Sequence, residues 1–255
     1  MPVAVTPASQ VPTAPPARSL PPLPGSLAPA AAPPTARPTP QAAPAGTPAD
    51  ARSTEAQRRA VRTALGTKYD SATRAVVQLL AERPGLRASG DPAALLTELA
   101  VVRVFAEEPG AYDAAFHTCL TAGLRRLPTM RGVVVTGSRQ VNHQEGSKFR
   151  LQGPMLAVAA VGAAVPGETE LLIWTNTARR LEGLLDADRR NDVVLAAHTP
   201  LRVLAVEDNR LLLAEEGAPT ERALSNLRAA ATARAAVDIP HNPNAARWFG
   251  ALPAA

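Results

Sequence analysis

Proline divides this chain. More than half of its 26 prolines precede residue 51. A residue that fixes φ and lacks an amide proton, recurring at that density, excludes helix interiors and central strands. Pairs such as Pro15-Pro16, Pro21-Pro22 and Pro33-Pro34 sit among Ala, Thr and Ser, leaving few apolar groups to offset the entropy of ordering. Residues 1–51 are therefore expected to form a disordered or polyproline-II tail, and the remaining length can bury a sizeable core. Pro21 and Pro24, with Leu20 and Leu23, match a Pro-x-x-Pro ligand pattern, but a tail this rich in proline produces such matches by chance.

Beyond the tail the apolar period is helical. Thr54 and Gln57 are spaced for a capping box that starts a first helix ending near Gly66. A second helix is expected from Asp70 or Ser71, with Ala72, Ala75, Val76, Leu79 and Leu80 on one stripe, stopped by Arg83-Pro84-Gly85. A third runs from Pro92, a favoured first-turn proline, to Phe105. The fourth turns Tyr112, Phe116, Cys119 and Leu120 inward and stops before Pro128.

The period then becomes extended. Short apolar runs at 132–136, 155–161, 170–175, 192–195, 201–206 and 210–213, with a brief segment near Arg180-Leu181, read as strands; Asp208-Asn209 reads as a hairpin turn. Trp174 is expected in the core. Residues 219–237 read as a terminal helix with a thin apolar edge at Leu224 and Leu227, followed by a loose end carrying Trp248, Phe249 and Leu252. Helices followed by strands indicate an α+β domain over residues 52–216, helical over 52–127 and β over 131–216, with 217–255 as a C-terminal helix and loose tail.

The formal net charge is +5, almost all of the cationic residues being arginine. The arginines are spread along the chain and do not gather in the single segment that a nucleic-acid face requires. The lone Cys119 permits no intrachain disulfide and stands at an apolar helical position, as a buried thiol does. One Cys and the scattered His117, His143, His198 and His241 make no zinc pattern. There is no phosphate-binding glycine loop and no Gly-x-Ser-x-Gly elbow. Glu107-Glu108 and Glu215-Glu216 stand at element ends and are expected to be solvated. No apolar run reaches the roughly 18 residues of a membrane span, and no standard signal peptide is visible. A cytoplasmic protein away from the membrane is expected, leaderless export staying open. The sequence names no partner.

Four stretches resemble actinobacterial domains of the ADP-ribosyltransferase fold. Leu127-Pro128 and then Gly132-Val133-Val134-Val135-Thr136-Gly137 are similar to that family's hinge and first strand. Gly153-Pro154-Met155-Leu156-Ala157-Val158-Ala159 is similar to the strand that carries Ser-Thr-Ser. Leu171 to Arg180 resembles the next core strand and its turn. Asp192-Val193-Val194-Leu195, with Leu201-Arg202-Val203-Leu204, resembles the paired strands that end the fold. The resemblance implies a split, mostly antiparallel β core behind the helices. It also implies a site at which NAD loses nicotinamide and ADP-ribose passes to an acceptor.

Carried over residue by residue, the resemblance puts Thr136, followed by Gly137, where the arginine–serine–glutamate class has its phosphate-binding arginine. It puts Ala157, Val158 and Ala159 at the Ser-Thr-Ser positions, Arg190 at the acceptor-orienting position and Asp192 at the catalytic glutamate. Charge-assisted contacts contribute about 1.5–3 kcal/mol each, so losing several would slow the reaction by orders of magnitude. Asp192 alone keeps its charge. Arg131 and Arg139, the latter in a loop with Ser138, Asn142 and His143, could replace the arginine, although solvated roles suit both. The expectation is a catalytically degenerate domain that needs no cofactor and serves as a binding or structural module for a protein partner. Two alternatives stand beside it: an active NAD-dependent mono-ADP-ribosyltransferase using Asp192 on a protein acceptor, and a basic adaptor for an anionic partner.

Overall fold

A computed structural model describes residues 52–88, 91–138, 143–237 and 239. The expectations for the tail, for Arg139 and Asn142, and for Trp248, Phe249 and Leu252 fall outside these residues.

Four helices come first: α1 (Glu55–Leu65), α2 (Thr67–Glu82), α3 (Pro92–Glu107) and α4 (Ala114–Arg126). The capping box at α1 forms as the spacing predicts, Thr54 accepting from the Gln57 amide and the Gln57 side chain from the Thr54 amide. α2 begins earlier than its apolar stripe suggests. Gly66, at φ +52°, ends α1 by donating its amide to the Arg62 carbonyl and lets the next helix start at once. Asp91 and Asp113 cap α3 and α4. The two helices pack so closely that a Cβ on Gly123 would lie 2.3 Å from the Glu98 carbonyl oxygen.

Eight strands follow: β1 (Gly132–Ser138), β2 (Lys148–Arg150), β3 (Met155–Val158), β4 (Thr169–Thr175), β5 (Arg179–Arg180), β6 (Asp192–Leu195), β7 (Pro200–Glu207) and β8 (Arg210–Glu215). Their order is β2-β7-β8-β4-β1-β3-β6-β5. Every neighbouring pair is antiparallel except β4 with β8. The turn between β7 and β8 places Asp208 at φ +46°, a conformation Asp tolerates. The last helix, α5 (Thr220–Ala235), follows β8.

β1 and β3 share one register pair, Val135 with Val158, so the sheet splits there into two packed halves. Side-chain alternation then makes three apolar layers. Val134, Ile173, Leu211 and Leu213 from one half meet Met155, Ala157, Val193 and Leu195 from the other. Leu156, Val158 and Val194 turn the opposite way, onto the helical layer of Val76, Leu99, Val102 and Leu120. Val135, Leu172, Leu212 and Ala214 pack beneath Ala223, Leu227 and Ala230 of α5. A bulge between Val203 and Ala205 lets Leu204 and Ala205 both reach this third layer. The domain is α+β with a split, mostly antiparallel core.

Three further sequence expectations change. The β3 strand ends at Val158, three residues short of its apolar run, because Ala159 bonds to the Asn191 carbonyl and the chain turns. Trp174 is half-buried against the α5 layer and is not a full core residue. Glu215, expected in solvent, is 5% exposed; its carboxylate accepts from the hydroxyls of Thr175 and Thr177 and from the amide of Asn176 at 2.8 Å. The turn after β4 supplies donors that no local pattern around Glu215 reveals.

Candidate functional site

The mapped positions lie where β1, β3 and β6 run side by side. Thr136 is fully buried between β3 and β4, and its hydroxyl donates to the Leu156 carbonyl at 3.0 Å. That bond uses the one proton the side chain carries. Ala157 is buried among Met155, Val193 and Val134 in the layer between the sheet halves, and Ala159 borders the same layer. Val158 faces the helices.

Register decides where Asp192 points. It pairs with Val158, while Ala157 pairs with Val193. Paired residues share a face of the sheet, so Asp192 stands with Val158 and Val194 on the helical side. Ala157 stands on the other. The strands thus bring Thr136, Ala157 and Asp192 close in the chain layer but distribute their side chains over two faces.

On its face Asp192 is 2% exposed and does not stand alone. Arg189, in the 3-10 turn Ala187–Arg189, donates from Nε to Asp192 Oδ2 at 2.9 Å. The same guanidinium donates to the Ala106 carbonyl near the end of α3 at 2.8 Å. Arg189 was not singled out by sequence; an opposite charge three residues before the acid, across a short turn, is the signal that marks it. Arg190, the mapped acceptor position, is exposed. The loop before Asp192 is fixed further by buried Leu181, Leu184 and Leu185 and by Arg103, which donates to the Leu184 carbonyl at 2.5 Å.

Gly137 has a local reason to be glycine. A Cβ there would lie 1.7 Å from the Pro166 carbonyl oxygen, so the 165–167 segment rests directly on the β1 backbone. Arg131 is exposed. His143 stacks on Phe149 of β2, ring centroids 4.4 Å apart at 12°, beside the layer that holds Ala157.

Two structures of the type III effector XopAI from Xanthomonas axonopodis pv. citri share the architecture. At 18% identity they match 65% of this chain and 89% and 84% of their own, with TM-scores of 0.54 and 0.55. The fold is of the ADP-ribosyltransferase type. Exoenzyme S from Pseudomonas aeruginosa, in complex with human 14-3-3 protein beta and bound to carba-NAD, aligns at 15% identity over 64% of this chain and 89% of its own, with a TM-score of 0.47. No protein-family model matches the chain, and no curated protein matches it.

Elsewhere in the domain a buried charge joins three segments of the helical layer. Glu98 of α3, 2% exposed, accepts from the Ser53 hydroxyl at 2.6 Å and from Arg126 Nε at 2.5 Å, joining the chain before α1 to α3 and α4. Cys119 is fully buried, and burial pushes its thiol above the usual range, which disfavours the thiolate. Among the described residues no group of three or more His, Cys, Asp or Glu is placed to hold a metal ion. None of the described helices is long and apolar enough to cross a membrane. A half-open concavity of about 330 Å³ lies on the helical layer, between Val61, Leu65, Tyr112 and Phe116, with Lys68 at its lip bonded to Glu108.

Proposed function

We propose that this domain keeps the ADP-ribosyltransferase scaffold without the transferase reaction and serves as a binding or structural module. The observation that carries the reading is the Asp192–Arg189 pair. A carboxylate that stabilises an oxocarbenium-like centre must present its charge to the sugar. Here the charge is met by Arg189, which is itself anchored to α3. Thr136 adds support, since its only donor is spent on the Leu156 carbonyl, and so do alanines at two of the Ser-Thr-Ser positions. These side chains do not fit the diphosphate and ribose of NAD.

The test is calorimetric titration of the full chain with NAD at millimolar concentration, followed by a nicotinamide-release assay. The expected result is neither heat of binding nor release. Saturable NAD binding that Thr136→Val weakens, together with nicotinamide release that Asp192→Asn abolishes, would establish the active transferase instead.

A further inference from the structure

β2 stands at one end of the sheet. It pairs with β7, Lys148 with Arg202, Phe149 with Leu201 and Arg150 with Pro200, and no described strand lies on its other side. The Ser147 carbonyl accepts from the Val203 amide at 2.9 Å, and the Leu151 amide donates to the Thr199 carbonyl at 3.1 Å. Backbone groups along an antiparallel strand point alternately to its two sides. Phe149, in step with Ser147 and Leu151, therefore bonds toward β7. The amides and carbonyls of Lys148 and Arg150 point outward, to the open edge.

The side chains divide as well. Phe149 packs against the inter-sheet layer that holds Leu201. Alternation turns Lys148 and Arg150 to the opposite face, and register sets Arg202 beside Lys148 there. Arg202 reaches the Thr220 hydroxyl in the first turn of α5. That helix has no side-chain cap at its start, so its positive end adds to the charge of this face. Arg150 is exposed and donates to the His198 carbonyl at 3.3 Å. Lys148 lies 3.0 Å from Glu216 with its side chain 63% exposed. Among the described residues, Glu216 is the carboxylate in ion-pair contact with these three cations.

We propose that the open edge of β2 takes up an acidic, extended segment of a protein partner as an added strand, with carboxylates at alternate residues opposite Lys148 and Arg150. An added strand satisfies the outward amides and carbonyls of both residues. Its residues directly opposite them share their face and meet the cations. The residue between falls beside Phe149, where a β-branched side chain extends the apolar layer. Charge selects the occupant. A second copy of this chain on the same edge would set Lys148 and Arg150 against like charges, which destabilises the pairing. The cationic face points away from the layer that holds Ala157, and the inference does not depend on the reading given under Proposed function.

The test is fluorescence anisotropy of a short labelled peptide of alternating glutamate and valine, titrated with the full chain at low ionic strength. The peptide should bind. The same peptide N-methylated at its glutamates keeps the charge, cannot pair with the outward groups of β2, and should not bind. Lys148→Gln combined with Arg150→Gln should weaken binding by about tenfold, the loss of two exposed charge pairs. Arg59→Gln, an exposed change on α1, should alter it by less than about twofold. Absence of binding, equal binding of the N-methylated peptide, undiminished binding in the double variant, or an equal loss in Arg59→Gln would each overturn the proposal. Displacement of the peptide by a DNA oligonucleotide of equal charge at equal concentration would also overturn it, assigning the face to polyanions in general.

Discussion

Arg189 stands one 3-10 turn before Asp192 and closes on it, Nε to Oδ2 at 2.9 Å, while its other arm reaches the Ala106 carbonyl at 2.8 Å. The pair fastens the start of β6 to the end of α3. An acid two residues from an exposed Arg190 on a strand edge would be open to a ligand. Because Asp192 pairs with Val158, it faces the helices instead.

Removing one partner of a buried ion pair leaves the other charged and desolvated, at a cost of about 3–5 kcal/mol. Arg189→Ala should therefore lower stability by about 3 kcal/mol, read from urea denaturation. Asp192→Ala should cost a similar amount, and the double variant should cost less than the sum. Additive losses would show that the two groups are not coupled.

Thr136 offers a second test. Thr136→Val removes the hydroxyl that satisfies the Leu156 carbonyl and should cost about 1 kcal/mol in the same measurement. Thr136→Arg, which restores the residue type of the active class, should leave the soluble fraction nearly empty. The position is fully buried and offers no space for a guanidinium. A folded, NAD-binding Thr136→Arg protein would mean that the cleft can open.

Gly137→Ala probes the covering segment. A methyl 1.7 Å from the Pro166 carbonyl oxygen forces backbone apart, and overpacking of this kind costs about 1–3 kcal/mol. The same substitution at Gly153, where a Cβ meets nothing within 4 Å, should be nearly neutral in thermal denaturation.

Local chemistry made much of the fold legible. Thr54 and Gln57 declared the first cap, Pro92 the start of α3, and the β-branched and leucine runs most of the strands. β2 went unread because three residues, Lys148, Phe149 and Arg150, show no alternation, and their pairing partners Arg202, Leu201 and Pro200 lie 50 to 54 positions away. The candidate site was legible in its positions and not in its geometry. Which face Asp192 takes depends on a one-residue register between β3 and β6, and no side-chain pattern within β6 records it. Glu215 was misread for the same reason: its donors, Thr175, Asn176 and Thr177, belong to a turn joined to it by the parallel β4–β8 pairing.

Acid sensitivity should trace in part to Glu170 of β4. Burial alone would raise its carboxyl, but hydrogen bonds from Arg234 and Arg210 outweigh burial and hold it below the usual glutamate value. Arg234, 2% exposed, also donates to the Val161 and Ala163 carbonyls, so the pair ties α5 to the segment after β3. A group whose folded pKa lies below its unfolded value of about 4.3 contributes stability above that pH and loses the contribution as pH falls through the folded value. Glu170→Gln keeps the shape and removes the charge. Urea midpoints taken from neutral pH downward should show wild type more stable than Glu170→Gln at neutral pH. The gap should narrow once pH drops below about 4.3. A gap that stays constant with pH would assign the effect of the substitution to packing alone, and the Arg234 contact would then act through its carbonyl bonds and not through charge.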